Sequence, residues 1–274
     1  MVCASLSGIN PAFSAELVKD DVIKIEVLKA AFPRSRVHVS QQKPLDWKPD
    51  PWPGHALTDA LKGEREYEVI GAVDKSEETY AMGLVDPDLA KIHETRRLRV
   101  RVYEMNNQTP KTYVALAHYT FTGITAYPFC CQWFARLLVL SRKKEGWNVQ
   151  QTDGSLIYRA KTVRSFQLAD LKGDGHEEIL FEGENTGTGY RRWIAMSVFG
   201  VFDGNLMKIA ASDMLSTNDG IHTQYRRELD LAKTRATAGK TIFFKTTVYG
   251  TETEQFPTPR IKEEAVTPNA PKPN

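Results

Sequence analysis

Apolar and polar residues along this chain recur with two different periods, and the change between them divides it. Between Glu16 and Phe32, the residues Leu17, Val18, Val22, Ile25, Leu28 and Phe32 fall near helical spacing, and Pro33 stops the run, which predicts a helix. The local alternation of Ile23, Ile25 and Val27 keeps a strand open as the rival there. From about Leu98 the period is two. In LRVRVYEM, Leu98, Val100 and Val102 share one face, and Arg97, Arg99 and Arg101 share the other. The arginine stripe reads as the solvated face of an amphipathic strand, with an anion-binding face as the alternative.

The same period continues through Lys111–Phe121, Trp133–Arg142, Trp147–Gln151, Val163–Ala169, Ile179–Glu182, Trp193–Phe202, Leu206–Ala211, Ile221–Leu231 and Thr241–Tyr249. Lys143 to Gly146 and Asp203-Gly204 are hairpin turns, the second being one of the strongest short hairpin signals. Arg227 lies on the otherwise apolar side of its strand, so that face is expected to be only partly buried. About eight to ten short strands joined by hairpins predict a mainly β fold, an antiparallel meander closing as a barrel, sandwich or partial propeller, with an N-terminal helix.

Three segments follow. Residues 1–15 read as a flexible N-terminus or the remnant of a signal peptide, because small residues near Ala12 to Ala15 precede the charged onset at Glu16 without a basic start or a continuous apolar core. Residues 16–254 form the β-rich domain. It includes a stretch from Pro44 to Pro53 whose prolines, with Trp47 and Trp52, require extended backbone. Residues 255–274, rich in proline and poor in apolar side chains, read as a disordered tail.

Composition narrows the function. The 274 residues are 41% hydrophobic and 26% charged, as in an ordinary globular chain. The net charge of +2, from 36 basic and 34 acidic residues, is too balanced to point to nucleic acid or an anionic membrane surface. No apolar run approaches the ~18 residues that span a bilayer; the longest, Phe134 to Leu140, contains Arg136. The three cysteines, Cys3, Cys130 and Cys131, have no zinc spacing, and the adjacent pair reads as two thiols on opposite faces of a strand.

The chemistry concentrates in DLKGDGHEE, Asp170 to Glu178. Its spacing folds a short loop so that oxygens converge, as a hard cation with six to eight oxygen ligands at ~2.4 Å requires. With Asp170 as the first position, Asp174 is the fifth, the carbonyl of His176 the seventh and Glu178 the ninth, while Gly175 takes the sharp turn. The surrounding VRSFQLADLKGDGHEEILFEG, residues 163–183, resembles the strand–loop–strand unit of FG-GAP/VCBS (integrin-α-like) repeats. That resemblance implies calcium held by Asp170, Asp174, His176 and Glu178, with Gly173 and Gly175 as turn glycines. Lys172 departs from the pattern, which has Asp or Asn there. Two readings stay open: the ammonium swings into solvent and calcium binds, or the ammonium substitutes for the ion.

Other motifs dissolve on inspection. Gly239-Lys240-Thr241 lacks the upstream glycine of a phosphate loop and precedes a strand. Residues 183–189, GENTGTG, read as a plain hairpin loop. The six histidines, including His38, His118 and His222, form no zinc-protease pair, and no nucleophile elbow is present. No catalytic residue emerges. The expectation is a non-catalytic binding or structural module, secreted or periplasmic, with a carbohydrate or protein partner. The alternative is a hydrolase using acids near residues 170–189.

Overall fold

The computed structural model describes residues 15–43, 60–72, 93–106, 110–122, 133–149, 156–159, 162–186, 192–202, 205–212, 215–217, 223–251 and 254–269. Every strand pairing among them is antiparallel. The first sheet holds β1 (Glu16–Leu17), β2 (Arg36–Val39), β3 (Glu66–Ala72), β4 (His93–Glu104), β5 (Thr112–Thr122), β6 (Trp133–Lys143), β7 (Gly146–Val149) and β8 (Leu156–Arg159). Its order is β2-β3-β4-β5-β6-β7, with β1 on β4 and β8 on β6, and it curls into a half-barrel. The second sheet holds β9 (Thr162–Ala169), β10 (Glu178–Thr186), β11 (Arg192–Phe202), β12 (Asn205–Ala211) and β13 (Leu215–Thr217), ordered β12-β11-β10-β9 with β13 on β11. The third is β14 (Thr223–Leu229), β15 (Ile242–Thr251) and β16 (Gln255–Val266).

Two helices are described, α1 (Asp21–Ala31) and α2 (Leu231–Ala236). On one face of the first sheet, Leu98, Val100, Tyr113 and Tyr119 pack against Val27, Leu28 and Phe32 of and after α1. On its other face, Val114, Leu116, Leu137 and Val139 meet Ile179, Phe181 and Phe199 of the second sheet. The second sheet then turns Leu180, Met196 and Val198 toward Ile242 and Phe244 of the third. The result is a stack: helix, sheet, sheet, sheet. Burial on both faces explains why Thr112 to Thr120 is buried at every position, whereas a half-solvated strand would alternate. Arg136, the charge that interrupts the longest apolar run, is 6% exposed and lies over the Phe32 ring, 4.8 Å from its centroid, as a cation–π pair.

The mainly β, antiparallel expectation agrees with this architecture, and several sequence readings need correction. The helix begins at Asp21, not Glu16, because the Asp20 side chain accepts the Val22 N–H at 2.8 Å and caps it; Glu16 and Leu17 pair instead with Glu104 and Tyr103. Strand β14 ends at Leu229, since Asp230 caps α2 by accepting the Lys233 N–H. The tail is not disordered from residue 255: β16 pairs with β15 from Arg260 to Val266, and the Asn269 N–H reaches Ile209 of β12. Pro257 and Pro259 lie where the register shifts between Arg260 and Gln255, so their missing N–H groups cost the ladder little. Finally, Arg97 and Arg227 are 6% and 7% exposed. The arginine stripe is therefore not a solvated face, Arg97 being buried and Arg99 and Arg101 half-buried, whereas the β14 face is partly buried as expected, with Tyr225 and Leu229 half-buried beside Arg227. Residues 1–14, the Pro44–Pro53 stretch, the three cysteines, residues 187–189 of GENTGTG, the Asp203-Gly204 turn and His222 lie outside the described residues; residues 183–186 belong to β10 rather than to a loop.

Candidate functional site

The acidic loop joins β9 to β10 across an antiparallel pair that starts at Ala169 and Glu178. Asp170 organises the turn. Its Oδ1 accepts the N–H groups of Gly173 (2.6 Å) and Asp174 (3.2 Å), and its Oδ2 accepts that of Gly175 (3.0 Å). Gly173 and Gly175 have φ of 76° and 84°, a region that costs a side chain strain and that glycine enters freely. Asp174 Oδ1 accepts the His176 N–H at 2.9 Å, so His176 is tied into the turn as a donor while its residue stays exposed. Glu178, 3% exposed, accepts the Leu171 N–H at 3.0 Å on Oε2 and the Lys172 ammonium at 2.9 Å on Oε1. Burial works against the Lys172 charge, yet the Glu178 hydrogen bond and the charges of Glu178, Asp174 and Asp170 outweigh it and raise the lysine pKa above its ordinary value.

This donor set does not fit a calcium ion as placed. The third position, where a ligand oxygen would be needed, is an ammonium, and that ammonium occupies the buried Glu178 carboxylate. Among the described residues no group of three or more His, Cys, Asp or Glu is arranged to hold a metal. The loop brings Asp170, Asp174 and Glu178 to one turn, with Lys172 as their common charge partner.

Glu177 joins the loop to Asn106, just past the end of β4. It is 5% exposed and accepts the N–H and Nδ2 of Asn106, both at 3.3 Å. Burial raises its pKa above the usual value of about 4.5, against the lowering effect of hydrogen bonds from Asn106 and the Ala15 N–H. A folded-state carboxyl that holds its proton more tightly than the unfolded one loses stability as pH rises through that interval. Glu177→Gln is therefore expected to flatten the fall in melting temperature above pH ~4.5. Thermal melts from pH 4 to 7 check this, and an unchanged pH profile would count against it.

A second cluster escaped the sequence reading. On the side of the first sheet that carries Val114 and Leu116, the register sets His38, Glu68, Arg97 and Thr120 in a row across β2, β3, β4 and β5. Glu66, Arg99 and His118 form the next row. Arg97 donates through Nε to Glu66 Oε1 at 2.7 Å and through its NH2 group to that oxygen and, at 2.7 Å, to the Lys43 carbonyl. Glu68 accepts from Ser40 Oγ at 2.9 Å and meets His38 Nε2 at 3.0 Å. Farther along, Glu64 bridges Lys24 (2.6 Å) and Arg101 (2.8 Å). The arginine stripe is thus matched by an acidic stripe, the ExE of β3 facing the RxRxR of β4. That complementary alternation was the available signal.

Ser40, His38 and Glu68 are not arranged as a nucleophile–base relay. Ser40 and His38 both bond to the Glu68 carboxylate, whereas a relay would set the imidazole between hydroxyl and carboxylate. The arrangement holds strand register. Comparison with protein families, with curated proteins and with solved structures returns no match for the chain. Among the described residues, no helix is long and apolar enough to cross a membrane.

Proposed function

We propose that this protein is a non-catalytic β-rich binding or structural module working in a secreted or periplasmic setting, where it recognises a carbohydrate or protein partner. One observation carries the reading. The acids a hydrolase would need near residues 170–189 are spent on the fold, Asp170 on three backbone N–H groups and Glu178 on Leu171 and Lys172. A general acid or base has to be free to reach a substrate proton. The likeness of residues 163–183 to an FG-GAP/VCBS unit supports the same class and supplies the setting.

The test pairs binding with turnover. The folded protein is incubated with chromogenic glycosides, esters and phosphate esters, and separately passed over a glycan array and a protein-interaction screen. The expected result is saturable retention of a glycan or protein that is recovered chemically unchanged, with no turnover above the heat-denatured control. Turnover that disappears in both Asp170→Asn and Glu178→Gln, with circular dichroism unchanged, would establish the hydrolase instead.

A further inference from the structure

We propose that the Lys172 ammonium takes the place of a metal ion in the Asp170–Glu178 loop, and that the loop so neutralised is a clamp holding the third sheet on the second. The inference goes beyond the binding-module reading and does not depend on which partner that module takes.

Two sets of contacts converge here. Within the loop, the ammonium sits 2.9 Å from a carboxylate that is almost wholly buried, and the Asp170 carboxylate closes the turn on three N–H groups without outside help. The positive charge needed among these acids is therefore supplied by the chain. Across the sheets, the Arg235 Nε of α2 donates to the Asp170 carbonyl at 2.8 Å. Just beyond α2, Gly239 has φ of 70° and comes so near that a Cβ there would lie 2.6 Å from Lys172 Cγ. Its N–H is held by the Thr234 carbonyl, and the wholly buried Thr234 hydroxyl accepts the Phe243 N–H of β15. Leu171, 1% exposed, completes the joint by entering the apolar layer with Ile242 and Phe244. Lys172 thus lies between the acids of the loop and the backbone that leads into β15. An aqueous cation could satisfy the acids but would offer no aliphatic stem for Gly239 to lie against.

The experiment compares wild type, Lys172→Met and Lys172→Asp in chelator and in millimolar calcium chloride, reading melting temperature and hydrogen exchange. The wild-type melting temperature is expected to be the same in both solutions. Lys172→Met should melt about 2–4 °C lower, with calcium giving no rescue, and its exchange should quicken in residues 231–251 while that of β4 to β6 stays unchanged. Lys172→Asp should melt lower in chelator and recover in calcium, since a ligand of the folded state alone raises its stability. A calcium-dependent rise in the wild type would overturn the proposal. So would a Lys172→Met whose exchange in residues 231–251 is unaltered, or a Lys172→Asp that calcium does not rescue.

Discussion

Replacing Glu66 by alanine is expected to destabilise the fold by about 3–5 kcal/mol, the cost of leaving a buried charge without its partner. Arg97 is 6% exposed and holds Glu66 through two of its nitrogens, and its remaining bond, to the Lys43 carbonyl, carries no counter-charge. Replacing both partners together, Glu66→Leu with Arg97→Met, removes the stranded charge and should return most of the loss, since apolar substitutes for a buried pair are often neutral or stabilising. Urea denaturation of the two single variants and the double variant forms a cycle that isolates the pair. A cost of under ~1 kcal/mol for Glu66→Ala is what a solvated surface pair gives, and would put the arginine stripe back in water.

That stripe marks the boundary of what the sequence made legible. Period two in Leu98 to Val102 located a strand and assigned its apolar face correctly, because the pleat alone decides which residues share a side. What covers the other side is not a local property. The acids that pair with Arg97 and Arg101 sit in and before β3, 31 and 37 residues earlier in the chain, too far for any local pattern to join them. Strand β16 was missed for a related reason: Pro257 and Pro259 argued against any strand, but they fall within a register shift that spares the ladder.

The acidic loop divides in the same way. Its tight turn and turn glycines were readable because they depend on nine consecutive residues, whereas the three N–H groups that Asp170 accepts were not read. Nor were the contacts from Arg235, 65 residues away, and from Gly239. Lys172 was recognisable as a departure from the calcium pattern, but whether its ammonium turns inward depends on what surrounds it, which only the fold determines.

The layered stack leads to the second large effect. Phe199→Ala is expected to cost about 3–5 kcal/mol and Met196→Ala about 2–5 kcal/mol, the range for emptying a close-packed site. Both residues belong to β11, and they lie on opposite faces of it. Phe199 is fully buried between the first and second sheets, and Met196, 2% exposed, is buried between the second and third. A strand with one solvated face would show such costs at one parity only, with changes on the other face staying within about 0.5 kcal/mol. Ile261→Ala on the exposed β16, where the side chain is 60% exposed, provides that reference on the same protein. Denaturant melts of the three variants decide the matter. Large losses at both Phe199 and Met196, with little change at Ile261, identify the second sheet as an interior layer. A loss at Phe199 alone would mean that the third sheet does not cover the second in solution, and the contacts of Leu171 and Gly239 across that joint would fall with it.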